Sequence, residues 1–152
     1  MNKKQRNTLI NIITIFIVTI VAVVGMINAK DWVNRAEAMR AMEQLGKKVI
    51  EERKERGSLP PESYVDTIKE RLEGYVRLGK LQYRARWIDL DSTSEEILAY
   101  TPKNYRSSFL GKGYIVLRLD GSVQWIKSKE FEPLLRSYQS DMEIKLLQME
   151  SK

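Results

Sequence analysis

A chain of 152 residues and 17.7 kDa has room for one domain of ordinary size, which excludes a multidomain enzyme. It contains no cysteine and no histidine, so a disulfide framework, a thiolate metal site, the commonest general base and the commonest zinc ligand are all excluded. The net charge of +6 owes much to Lys3, Lys4 and Arg6, and the mildly basic remainder carries no nucleic-acid-binding signature.

Residues 1–6 form a basic N-terminus, and residues 7–29 follow without a single charge. Crossing the hydrocarbon core as a helix takes about 20 residues, so this segment is long enough to span a bilayer. Its polar residues, Thr8, Asn11, Thr14, Thr19 and Asn28, are few. Hydroxyls bond back to helix carbonyls, and Asn28 falls at an interface. The basic cluster predicts a cytoplasmic N-terminus in the cell membrane and an extracytoplasmic location for residues 30–152, although Lys30, Arg35 and Arg40 on the far side weaken the bias. A cleaved secretory signal is the rival, with Ile27-Asn28-Ala29 as its cleavage site. The apolar run exceeds the roughly 7–15 residues of a signal core, which favours an anchor.

From 30 to 56, Trp32, Ala36, Met39, Met42, Leu45 and Val49 recur at three- and four-residue steps among charged residues, the pattern of an amphipathic helix. No proline occurs between 9 and 56, so the span and this stretch join into one helix of roughly 45 residues or more. Gly57-Ser58-Leu59-Pro60-Pro61 ends it, as a linker or as a packed loop. Tyr64 or Val65, Ile68 and Leu72 then predict a short helix over 62–74.

From Lys80 the period changes to two. Leu81, Tyr83, Ala85 and Trp87 alternate with Gln82, Arg84, Arg86 and Ile88, predicting a strand with aromatics inward and arginines in water. A second short strand is expected at 96–100. Residues 114–119 and 122–127 flank Asp120-Gly121, the signature of a β-hairpin. Phe131, Leu134, Leu135, Tyr138, Met142, Leu146 and Met149 give a second amphipathic helix over 128–152. The expected fold is α+β: a long N-terminal half-transmembrane helix, a small antiparallel sheet within 57–127, and a C-terminal amphipathic helix.

This order of parts resembles that of a type IV pilin or a type II secretion pseudopilin. Family members open with an aromatic, Thr-Leu-Ile-Glu and an apolar run; this chain reads Asn7-Thr8-Leu9-Ile10-Asn11 and then an apolar run. The segment from Ala99-Tyr100-Thr101-Pro102 through Val116-Leu117-Arg118-Leu119-Asp120-Gly121-Ser122-Val123 is similar to the closing hairpin of pseudopilin-like proteins. The resemblance implies a pilin-like fold and anchoring mode. It also implies departures: Arg6 stands where the prepilin peptidase needs glycine, the first aromatic is missing, and Asn11 replaces the glutamate held to pair with a neighbour's amine. Asn11 keeps the capacity for hydrogen bonds between helices.

Asp89, Asp91 and Glu95, with nearby hydroxyls, are hard oxygen ligands of the kind calcium takes, and secretion pseudopilins bind calcium in an ectodomain loop. The spacing is not an EF-hand, and a strand exit with a turn explains the same residues. Arg84, Arg86 and Trp87 beside Tyr83 suggest a stacking surface, although such alternation more often marks a sheet with aromatics inward and arginines in water. No serine has a histidine partner, so nucleophilic catalysis is not expected. The reading is a non-enzymatic structural or assembly protein without a cofactor. Its partners are the lipid bilayer and neighbouring pilin-like subunits or an envelope assembly, met through Asn11, Trp32 and Met39. The alternative is a solitary anchored module that recognises a glycan or protein through Arg84, Arg86, Trp87 or the loop 103–112.

Overall fold

The computed structural model describes residues 2–89, 91–107 and 109–150. Its first element, α1 (Lys3–Arg56), is one unbroken helix of 54 residues, about 80 Å long at about 1.5 Å per residue. It closes at Gly57, whose N–H returns to the carbonyl of Arg53. Thr8, Thr14 and Thr19 donate their hydroxyls to the carbonyls of Lys4, Ile10 and Ile15, so these hydroxyls are satisfied within the helix. That half is uncovered: the large side chains from Leu9 to Ile27 are exposed, and the segment is long and apolar enough to cross a membrane.

The outer half of α1 carries the domain. Ala38, Ala41, Met42, Leu45 and Val49 are fully buried on one face, with Met39 and Ile50 packed at its margins. This face departs from the predicted stripe at its start. Trp32 and Ala36 are exposed, and the position nearest the apolar half that does turn inward is Asp31. Trp32 instead lies beneath the Arg35 guanidinium, 4.2 Å from the ring centre.

The Leu59-Pro60-Pro61 loop is packed: Pro60 is buried and its carbonyl accepts the Tyr83 hydroxyl at 3.0 Å. α2 (Glu62–Glu70) buries Val65 and Ile68, and the Tyr64 hydroxyl donates to Glu52 on α1 at 2.8 Å. A 3-10 turn at Tyr75–Arg77 is joined to α1 by the Arg77–Glu37 ion pair.

Four antiparallel strands follow in the order β1-β2-β3-β4: β1 (Gln82–Tyr83), β2 (Ile97–Asn104), β3 (Lys112–Arg118) and β4 (Val123–Lys127). The hairpin falls where Asp120-Gly121 predicts it, with Gly121 at φ +87°. A register shift between Ile97 and Ala99 lets Leu98 and Ala99 both join the core on α1. Ile115, Leu117, Val123 and Trp125 face the same side. The opposite side presents Ile97, Tyr100, Tyr114, Val116 and Ile126 to α3 (Ser128–Tyr138), whose buried Phe131 stacks on Tyr114 with ring centres 4.1 Å apart. The sheet is thus enclosed between two helices.

Two expectations are corrected. The strand read from Lys80 is only two residues long, because the chain turns through a 3-10 segment at Ala85–Trp87 and sends Arg84 inward. The C-terminal helix is two helices, α3 and α4 (Asp141–Glu150), separated at Gln139 and Ser140. Ser140 Oγ accepts the N–H of Glu143 at 3.2 Å, starting a new helix. The apolar stripe does not carry across: Met142 and Leu146 are exposed while Glu143 is buried. The side chain of Met149 and residues 151–152 lie outside the described residues.

A Cβ on Gly113 meets the carbonyl oxygen of Ile126 at 2.6 Å and the Trp125 ring at 2.5 Å. Gly113→Ala is therefore expected to lower stability by about 1–3 kcal/mol, read as a fall in Tm of the detergent-solubilised chain; an unchanged Tm contradicts this packing. In the turn, hydrogen bonds from the Ser122 hydroxyl and backbone N–H hold the Asp120 carboxyl below its ordinary value. A pKa lower in the folded than in the unfolded state gives stability that is full above about pH 4 and is lost as pH falls through the folded value. Asp120→Asn should cost a little stability at pH 7 and progressively less below about pH 4, as melting curves at the two acidities will show.

Candidate functional site

The most strongly built polar centre lies around Arg84, which is 3% exposed. Its Nε and Nη2 donate to Oε1 and Oε2 of Glu143 at 2.7 and 2.9 Å, a bidentate pair with a carboxylate only 1% exposed. Nη1 donates to the carbonyl of Ile97 at 2.7 Å and Nη2 also to the carbonyl of Tyr138 at 3.0 Å. Tyr138 is the last residue of α3, where helix carbonyls lack partners and the dipole favours a cation. One guanidinium thus joins the start of β2, the end of α3 and the first turn of α4. Glu96 stands 3.8 Å from Nη1 as a second carboxylate. Burial, then the Glu143 charge, raises the pKa of the nearby Tyr100 hydroxyl. With every side of Arg84 occupied by the fold, the centre locks elements together rather than presenting a cation outward.

A second polar centre lies where α1 emerges from its apolar half. Asp31 accepts the backbone N–H of Ser107 on Oδ2 at 2.7 Å, and both residues are buried. This bond ties the connection between β2 and β3 to the helix. Tyr105 packs on Trp125 with ring centres 5.4 Å apart, and burial pushes its hydroxyl up to about 12. Lys103 donates to the carbonyls of Leu78, at 2.7 Å, and Arg77, and burial lowers its pKa. Phe109 alone among these aromatics points away from the domain, 74% exposed.

The remaining sequence candidates are dispersed. Asn11 is exposed within the apolar half of α1, twenty residues before Asp31, and Met39 is half-buried against the sheet. Arg86 lies over Trp87 at 5.5 Å, beside a groove of about 390 Å³ lined by Leu59, Pro60, Pro61, Glu62, Tyr83 and Ala85. Arg84 and Arg86, paired by the sequence reading, therefore serve different places. Asp89, Asp91 and Glu95 are exposed; Asp89 closes a turn in which its N–H donates to Ser92 Oγ at 3.0 Å, and among the described residues no three carboxylates gather as a metal site.

Asp31, Ser107 and Glu143 were not singled out by sequence reasoning. Ser140-Asp141-Met142-Glu143 carries the Ser-x-x-Glu signature of a helix start, which marks both the break after α3 and the buried glutamate. Asp31 offers a weaker signal as an acid directly after Lys30 at the end of the uncharged segment.

Removing one partner of the buried pair leaves the other charge uncompensated. Arg84→Met should cost about 3–5 kcal/mol in denaturant unfolding, and adding Glu143→Leu should recover a substantial part of it; a double variant whose loss equals the sum of the two single losses would mean that the charges are not coupled. No protein-family model, curated protein or solved structure matches the chain.

Proposed function

We propose that this chain is a single-pass, membrane-anchored structural or assembly protein with a pilin-like extracytoplasmic domain, and that it works without catalysis. The observation that carries the reading is the division of α1. One continuous helix leaves its first half apolar and uncovered, while its second half is buried under a sheet. A helix in water cannot leave that much apolar surface bare, and lipid is the solvent that suits it. Lys3, Lys4 and Arg6 favour a cytoplasmic N-terminus.

The pilin-like part of the reading rests on the helix-then-sheet layout, with the hairpin of β3 and β4 closing the sheet. Association with neighbouring subunits would be lateral, through the apolar half of α1, where Asn11 is the polar group able to hydrogen-bond across a helix pair. Such bonds are worth about 0.6–2 kcal/mol, a contribution suited to contacts that form and dissolve rather than to a permanent fibre. The anchored ligand-binding alternative keeps the groove beside Arg86 as its support, and Arg84 no longer contributes to it. Calcium at Asp89, Asp91 and Glu95 is a separate expectation, tested by whether calcium raises the Tm.

Because the chain has no cysteine, Asn11→Cys introduces a single reporter. In native membranes the expected result is a disulfide-linked dimer at position 11, a chain resistant to carbonate extraction, and digestion of residues beyond 30 by protease added outside the cell. A monomer under oxidising conditions favours the solitary module, and extraction by carbonate overturns the anchor.

A further inference from the structure

Resting on the reading of residues 7–29 as a membrane span, we propose that the domain makes a second contact with the same bilayer: Phe109 and Trp32 seat in the lipid headgroup layer, beside a basic rim that favours anionic lipids.

The level of this end of the domain follows from packing along α1. Gly46 lies against Leu117 of β3, and Ile50 against Gly121 of the hairpin turn, so β3 begins at the end of the sheet nearest the apolar half. From Leu117 back to Gly111 is about 20 Å at about 3.3 Å per residue. From Gly46 back to Asp31 is about 22 Å at about 1.5 Å per residue. The two paths agree, and the Asp31–Ser107 hydrogen bond closes them. The connection between β2 and β3 therefore stands level with Asp31, two residues past Ala29 and about 3 Å along the axis from the end of the uncharged segment. The polar layer on each side of a bilayer is about 5–7 Å thick, so this end of the domain lies within it.

The side chains there have the chemistry of that layer. Phe109 is 74% exposed, Val33 56%, and Trp32 51% even with the Arg35 guanidinium over its ring. Aromatic residues collect at the membrane–water boundary, where ring and headgroup meet. Lys30, Arg106, Lys112 and Lys127 are exposed at the same end, Lys127 because it pairs with Gly113 in the sheet register. Asp31 is turned inward onto Ser107, and Lys129 and Glu130 offset each other in the next turn. The rim is thus cationic, and basic residues close to an anionic lipid surface are drawn to it. A helix alone leaves the domain free to tilt on its anchor; a second contact fixes its face toward the bilayer.

The test uses the full chain in vesicles of phosphatidylcholine and phosphatidylglycerol, with a single cysteine carrying an environment-sensitive dye at Phe109→Cys, at Val18→Cys within the span, or at Gln124→Cys on the exposed far end of β4. The expected result is blue-shifted emission and strong quenching by headgroup-level spin-labelled lipid at position 109, quenching by deep spin-labelled lipid at 18, and neither effect at 124. Asp31→Ala should reduce the quenching at 109 by freeing the connection. Quenching at 18 without quenching at 109 overturns the second contact while the span stands, and no quenching at either position overturns both. Shielding of position 109 from a water-borne quencher without lipid quenching overturns the proposal in favour of a protein partner or second copy. Equal quenching at 109 in vesicles of phosphatidylcholine alone overturns the role of the basic rim.

Discussion

Everything in this molecule is hung on the continuity of α1. Because no proline interrupts residues 3–56, the helix passes from its apolar half into its packed half without a hinge. The packed half is fitted for a close neighbour: Ala38, Ala41 and Gly46 are small and buried, which lets β3 approach until Leu117 lies against Gly46. Large side chains at Met42, Leu45 and Val49 fill the space between. The apolar half has no such partner in the chain. Its stability is a matter of solvent, since propensity alone supports a helix weakly and lipid satisfies an apolar surface that water does not.

The sheet owes its order to being covered twice. α1 closes one face and α3 the other, with the Phe131, Tyr114 and Tyr100 rings as the second core. Arg84 joins these layers at the edge where β1 ends. A buried ion pair contributes little net stability against an apolar substitute, yet only one docking of α4 brings Glu143 into line with the Arg84 fork. The pair therefore selects an arrangement more than it strengthens one. It also fixes the first turn of α4, where Met142 and Leu146 are exposed and Glu143 is buried.

What was legible in the sequence and what was not divides along the same physical line. The Asp120-Gly121 turn, the close of α1 at Gly57 and the unbroken helix are local signals, written in a few adjacent residues, and the structure carries all three. The stripe Phe131, Leu134, Leu135 and Tyr138 is likewise local and does bury against the sheet. The alternation from Lys80 to Ile88 misled because a period of two states which residues share a face and not what lies opposite. Arg84 turned inward for a carboxylate 59 residues away, and no neighbouring residue announces that partner. Asp31 and Ser107, 76 residues apart, were hidden for the same reason. The helix break at Ser140 was legible in its Ser-x-x-Glu spacing, but the apolar period of the flanking segments ran through it and outweighed the cap.

The distribution of uncovered apolar surface follows from this construction. With both faces of the sheet enclosed, apolar side chains remain open on the first half of α1, at Trp32 and Val33, and at Phe109. Tyr75 and Val76 are also exposed, in the turn that the Arg77–Glu37 pair holds only eight residues beyond Ala29. All of these lie on the apolar half or within the first turns after it, and only Met142 and Leu146 on α4 stand apart among the described residues. Far from the span, the hairpin turn is closed by Asp120, Gly121 and Ser122, and it presents polar groups to water. A domain built to meet partners at its outer tip would place its apolar surface there. This one concentrates it beside the apolar half of α1, and on the proposed reading of that half as a membrane span a bilayer, or neighbours embedded in it, are the surfaces within reach.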